Sequence, residues 1–337
     1  STEGVILMCL AEALLRIPDT GTVDLLIRDR LGTADWASQL GHSGSLFVNA
    51  STWALMLTGR LLNDDDGNDL GGALHRFAAR SAEPVVRQAV LAAMRILGRQ
   101  FVMGRTIEEA LVRAAPSERH GYRHSYDMLG EAARTAADAA RYHAAYLHAI
   151  DRIGAAAGRG PVTAAPGISV KLSALHPRYE AAQRDRAMGE LLPRLVALCR
   201  AAKAAKIGLT VDAEEADRLE LSLDLFAAAA CDPELSGWEG LGLAVQAYQK
   251  RALAVIDWLA DLAARSGRRL MVRLVKGAYW DSEIKRAQIG GRPGYPVFTT
   301  KPATDLSYLA AARALIAAQP YLYAQFATHN AHTLAAV

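Results

Sequence analysis

Three cations and three carboxylates in this chain are spaced so that one site could gather them: Lys171, Arg273 and Lys276 against Asp127, Asp212 and Glu214. Gln246 adds an amide, and Tyr279 and Trp280 add aromatic surface just behind Lys276. A cation in an apolar setting is costly until an anion or polar ligand satisfies it. A ring of this composition therefore suits a zwitterionic small molecule bound beside an anionic or polar cofactor. Lys171 alone suggests a second chemistry, a Schiff base with a carbonyl substrate. No Ser-His-Asp spacing or nucleophile elbow supports acyl transfer. His329 and His332 are three residues apart, a faint zinc signal outweighed by a hydrogen-bonding role, so no metal site is expected.

The elements that must position these groups centre on residues 269–288. Leu270 to Val275 is an apolar, β-branched run that predicts a strand buried on both faces, interrupted by Arg273 and ended by Lys276. Gly277 lets backbone approach a ligand, and Asp281 and Ser282 are expected to cap the next helix. Strands are predicted over 123–129, 168–174, 207–213, 241–247, 270–276 and 321–328. Helices are predicted over 131–157, 186–205, 218–230, 252–265 and 305–318, with one more directly after the fifth strand. This βα alternation calls for a parallel sheet. Each strand carries a polar residue at or near its carboxyl end, and only a (βα)8 barrel brings all such ends to one rim. No Gly-x-Gly-x-x-Gly follows the first strand, which argues against a dinucleotide fold. Six strands fall short of eight, so the last two βα units are expected to lie outside this sequence.

Residues 1–117 read as an all-helical domain ahead of the barrel at 118–337, with helices over 5–16, 23–31, 51–62, 85–101 and 110–114, the last closed by Pro116. The acidic run Asp64-Asp65-Asp66 reads as a solvated loop, and His42 and His75 as structural residues. A net charge of +3 and the lack of a long basic tract predict that this segment binds no nucleic acid. Cys9, Cys199 and Cys231 are odd in number and widely spaced, the pattern of reduced cytoplasmic thiols. No apolar run approaches the roughly 20 residues that span a bilayer. Ser1 stands where an initiator methionine would, so the sequence is expected to begin inside a longer chain.

The run Val-Arg-Leu-Val-Lys-Gly-Ala-Tyr-Trp-Asp-Ser-Glu-Ile-Lys-Arg-Ala-Gln at 272–288 resembles the signature of the proline dehydrogenase domain of proline utilization A (PutA), a bacterial flavoenzyme family. The likeness extends through Cys-Leu-Ala-Glu-Ala-Leu-Leu-Arg-Ile-Pro (9–18), Tyr-Asp-Met-Leu-Gly-Glu-Ala-Ala (126–133) and Ser-Val-Lys-Leu-Ser-Ala-Leu-His-Pro-Arg-Tyr (169–179). It continues through Val-Asp-Ala-Glu-Glu (211–215), Gln-Ala-Tyr-Gln-Lys-Arg (246–251) and Phe-Ala-Thr-His-Asn-Ala-His-Thr-Leu-Ala-Ala (326–336). The resemblance implies oxidation of L-proline to 1-pyrroline-5-carboxylate, with FAD as hydride acceptor and a membrane quinone as final oxidant. It also implies an aldehyde dehydrogenase domain in the parent chain and a cytoplasmic protein held peripherally at the inner face of the membrane. By the same resemblance Arg273 and Gln246 face flavin N5. Asp212, Ala213, Lys276, Gly277, Ala278 and Trp280 contact FAD, as do Thr299, Thr300, Lys301, Thr304, Thr328, His329 and Asn330. Thr300 stands where many relatives carry arginine. Lys171 pairs with the proline carboxylate, Asp127 and Tyr279 shape the proline pocket, and Lys171, Asp212, Arg273 and Tyr279 form the catalytic set. The alternatives are a Schiff-base lyase working through Lys171 and a non-catalytic scaffold.

Overall fold

A computed structural model describes residues 102–158 and 160–337. The helices read over 5–101, the acidic run at 64–66, His42, His75 and Cys9 lie outside them. The chain divides into two compact units, 1–114 and 115–337. Helix α1 (Ile107–Arg119) contains Pro116, so this proline does not close the helix as the sequence suggested.

Six parallel strands follow in sequence order: β1 (Ser125–Asp127), β2 (Gly167–Val170), β3 (Gly208–Val211), β4 (Leu241–Gln246), β5 (Leu270–Val275) and β6 (Leu322–Phe326). The helices between and beyond them are α2 (Ala136–Ala156), α3 (Leu172–Leu175), α4 (Arg184–Ala204), α5 (Leu219–Ala230), α6 (Ala252–Ser266), α7 (Trp280–Ile289), α8 (Lys301–Ala317) and α9 (Ala331–Ala336). This is the arrangement of the first six units of a (βα)8 barrel. The strands form where apolar runs predict them because every residue of β3 and β4 is buried. Each fully buried Val, Leu or Ile contributes roughly 1.5–3 kcal/mol.

The helix ends explain most departures from the expected boundaries. α2 starts at Ala136 rather than 131 because Thr135 and Asp138 form a capping box: the Asp138 N–H donates to Thr135 Oγ1 and the Thr135 N–H to Asp138 Oδ2, each at 3.1 Å. α6 ends at Ser266, capped by Gly267, whose φ of +62° suits a left-handed cap. α8 begins at Lys301 rather than 305, with Pro302 in its first turn, where the missing N–H costs nothing. Asp281 and Ser282 are not caps, since Tyr279 occupies the N-cap position and both fall inside the first turn of α7. β2 stops at Val170, and Lys171 leaves the strand to precede the single turn α3. Lys171 thus stands at the strand end rather than inside it.

Candidate active site

The carboxyl ends of the strands enclose a cavity of about 690 Å³, within the roughly 300–1,000 Å³ of small-molecule and cofactor clefts. Asp127 and Lys171 line it from the first two strands, Asp212 and Ala213 from the third, and Gln246 from the fourth. The fifth strand contributes Arg273 and the run Lys276-Gly277-Ala278-Tyr279 beyond it. Lys301, Thr328, His329 and Asn330 complete the wall. Trp280, Thr299, Thr300 and Thr304 do not line this cavity: the Trp280 indole N–H donates to Phe298 O at 2.9 Å, and Thr304 is a buried residue in the first turn of α8. Ala244, Val275 and Ala327 line the cavity although the sequence reading did not single them out.

At the centre, Lys171 Nζ lies 3.1 Å from both Asp127 carboxylate oxygens and from Asp212 Oδ2. Burial pulls the Lys171 ammonium toward neutrality, yet the carboxylates of Asp212 and Asp127 more than offset it and hold the group above the ordinary lysine range. Burial also pushes the Asp212 carboxyl up, against the pull of Lys171 and then Arg273. Asp127 is the looser partner, with 45% of its side chain exposed against 14% for Asp212. The Lys171 backbone N–H donates to Tyr146 Oη at 3.3 Å, which seats the lysine on α2.

Arg273 reaches across the barrel interior. Its guanidinium donates to Ser169 Oγ and Ser125 Oγ, each at 2.8 Å, and to Asp212 Oδ1 at 3.2 Å. The serines are partners that sequence reasoning missed; the only signal was a hydroxyl at the start of β1 and another inside the apolar β2. Gln246, which lines the cavity, donates one amide N–H to Glu214 O at 2.8 Å and accepts the Ala278 N–H at 3.2 Å, which leaves its second N–H over. Gly277 takes φ +138°, and a Cβ there would meet the Tyr248 ring at 2.4 Å. Only glycine closes this turn.

Two expected members of the charge ring pair with other groups, Glu214 away from the cavity and Lys276 on its wall. Glu214 turns its carboxylate from the cavity, accepting the Ser173 N–H at 3.0 Å and pairing with Arg218 at 3.3 Å. Lys276 meets neither Asp127 nor Asp212; its Nζ lies 2.5 Å from Asp305 Oδ1 and donates to Thr333 Oγ1 at 3.1 Å. Lys301 takes the other Asp305 oxygen at 2.5 Å. The hydrogen bonds from Lys276 and Lys301 hold the Asp305 carboxyl below its usual range. Burial raises the Tyr279 phenol, with the Glu131 carboxylate adding to the shift. Among the described residues no cluster of three or more His, Cys, Asp or Glu side chains is placed to hold a metal.

A family model described as proline dehydrogenase matches residues 110–337, and one described as the DNA-binding domain of proline dehydrogenase matches 1–101. The second match runs against the expectation that this segment binds no nucleic acid; net charge over the whole chain is too coarse to exclude a local binding region. The bifunctional protein PutA of Salmonella typhimurium is 58% identical over all 337 residues, and that of Rhizobium meliloti 55%. Those alignments take in 100% of this chain but 26% and 27% of the relatives, so the chain spans about a quarter of their length. Proline utilization A of Bradyrhizobium japonicum superposes with a TM-score of 0.71 at 55% identity, over 99% of this chain and 33% of that one. Among the described residues no helix is long and apolar enough to cross a membrane.

Proposed function

Because the chain belongs to the proline dehydrogenase family, we propose that this site oxidises L-proline to 1-pyrroline-5-carboxylate as the first step of proline breakdown. FAD is the cofactor, a membrane quinone the final electron acceptor, and the parent chain carries a second, aldehyde-oxidising domain. The observation that carries the reading is the Lys171 ammonium, held charged between Asp127 and Asp212 on the wall of the cavity.

The donor set fits a flavin nucleotide. Lys276 and Lys301 supply cations for its diphosphate, and Thr328, His329 and Asn330 supply polar groups on the same wall. Arg273 and the free N–H of Gln246 supply the donors that favour an electron-rich flavin ring. When bound, the flavin supplies the hydride acceptor. Thr299, Thr300, Thr304 and Trp280 border the wall-forming segments and make the outer contacts.

The chain's own residues do the rest. Lys171 orients the substrate by its carboxylate, and the half-exposed Asp127 is the partner that gives way when that carboxylate arrives. Asp212 stays, fixing the lysine and Arg273 together. Tyr279 closes the pocket over the substrate ring. A lysine held protonated is neither a base nor a Schiff-base nucleophile near neutral pH, which weighs against the lyase alternative.

An absorption spectrum tests this. The purified full-length protein is expected to show a flavin band that L-proline bleaches without oxygen; a colourless protein that takes up no FAD would sink the reading.

A further inference from the structure

Helix α7 starts directly behind the Gly277–Tyr279 loop and carries a buried carboxylate that the proposed reaction does not use. Glu283 is 3% exposed, and its Oε1 accepts the Ala216 N–H at 2.6 Å. Ala216 opens the turn that leads from Asp212, Ala213 and Glu214 into α5. That N–H begins a helical segment, where partial positive charge favours an anion. Arg251 holds the same residue from its other side, donating to Ala216 O at 2.7 Å.

One turn further along α7, Arg286 donates to Glu215 Oε1 at 3.2 Å and pairs with Asp217 at 3.6 Å. The helix therefore grips the segment behind β3 at two successive turns. Its first turn is tied to the cavity wall, since the Glu283 N–H donates to Tyr279 O at 2.9 Å. β4 lies between β3 and β5, so these contacts bridge over an intervening strand. Gln246 joins the same two loops at the cavity floor, and Glu283 joins them at their outer ends.

We propose that Glu283 is a positioning residue that fixes the Tyr279 wall of the cavity against the Asp212 wall. The proposal rests on the proline-oxidising reading for the identity of the ligand, but its geometry does not. A carboxylate this deeply buried stays only where donors hold it, so its loss frees both loops.

The test uses the full-length, flavin-loaded protein. Glu283→Ala is expected to speed hydrogen exchange at the 277–280 amides by about tenfold or more, the scale of a lost hydrogen bond to a charged group. KM for L-proline should rise by a similar factor while kcat stays within about twofold, because a wall shifts and no reacting group is lost. Glu283→Gln keeps an acceptor oxygen and should retain most of both properties. Arg286→Ala cuts the exposed half of the grip and should move exchange and KM the same way by a smaller factor, so it decides the matter if Glu283→Ala does not fold. A lower melting temperature with unchanged exchange at 277–280 and unchanged KM would overturn the proposal, as would a loss confined to kcat. The exchange arm needs no substrate, so it stands even if proline proves not to be the substrate.

Discussion

The two ends of the sheet use the same residue types for opposite purposes. At the carboxyl end, Lys171 and Arg273 meet side-chain carboxylates and hydroxyls on the wall of a cavity. At the amino end, Lys203 and Arg268 meet backbone carbonyls. Lys203 Nζ takes Glu234 O and Ser236 O, each at 2.8 Å. Arg268 takes Leu235 O at 3.1 Å and Asp232 O at 3.3 Å. Together they pin the turn that enters β4, and Trp238 steadies it further by donating to Ile207 O at 3.2 Å. A cation bonded to backbone carbonyls completes the fold, because no ligand can displace those oxygens without unmaking the turn. A cation bonded to a half-exposed carboxylate keeps a partner that a ligand's own anion can replace. Partner type and access to a cavity, rather than charge or position in the sequence, separate the site from the scaffold.

The sharpest way to break this contrast is to remove one cation at each end. Arg273→Met keeps an apolar stem and deletes the donor facing the proposed flavin. Losing such a donor typically costs about 2–4 kcal/mol of transition-state stabilisation. Stopped-flow flavin reduction by L-proline should therefore slow by about 30- to 1,000-fold, while far-ultraviolet circular dichroism stays native. An unchanged rate would make Arg273 a structural ion, the twin of Arg268. The mirror experiment is Arg268→Ala. Its lost carbonyl bonds should lower unfolding stability by about 1–3 kcal/mol in urea titration and leave KM unmoved. A changed KM at full stability would erase the distinction between the two ends.

The sequence announced some of this contrast and hid the rest. Strands β2 to β6 were legible as largely apolar runs bounded by turn residues, and the short, polar β1 (Ser125–Asp127) only as the first step of the strand–helix alternation. The end of β2 was not, because Leu172, Ala174 and Leu175 continue the apolar pattern while the chain has already turned into α3. Arg273, Lys171 and Asp212 were legible as polar interruptions of such runs. The serines that Arg273 reaches were not, since they lie 104 and 148 residues away and meet it only when the sheet curls. Glu283 was hidden for another reason: in an amphipathic helix a glutamate reads as solvent-facing, and only its 3% exposure says otherwise. Lys203 and Arg268 gave no sign at all, because their partners are peptide groups, which every sequence position offers.

The smallest expected effect is a flat line, and it probes the centre of the site. Asp212 and Asp127 outweigh burial at Lys171, so its folded-state pKa lies above the ordinary lysine value. A raised lysine keeps its pairing energy in full below its unfolded pKa of about 10.4, and loses it only as pH rises through the higher folded value. A simple carboxylate ligand without an amine should therefore bind with a nearly constant Kd, within about twofold, from pH ~7 to pH ~9.5. Asp212→Asn removes the stronger of the two supporting carboxylates and leaves burial, which favours the neutral amine, opposed by Asp127 alone. In that variant Kd should climb on the alkaline side of the same window, and Lys171→Met should bind weakly and without pH dependence throughout. Titration by tryptophan fluorescence or flavin absorbance reads all three. A Kd that rises steeply above about pH 8 in the unsubstituted protein would mean that burial, not the carboxylate pair, governs Lys171. The lysine would then be poised for Schiff-base chemistry, and the contrast between a replaceable partner and a fixed one would fail at its central residue.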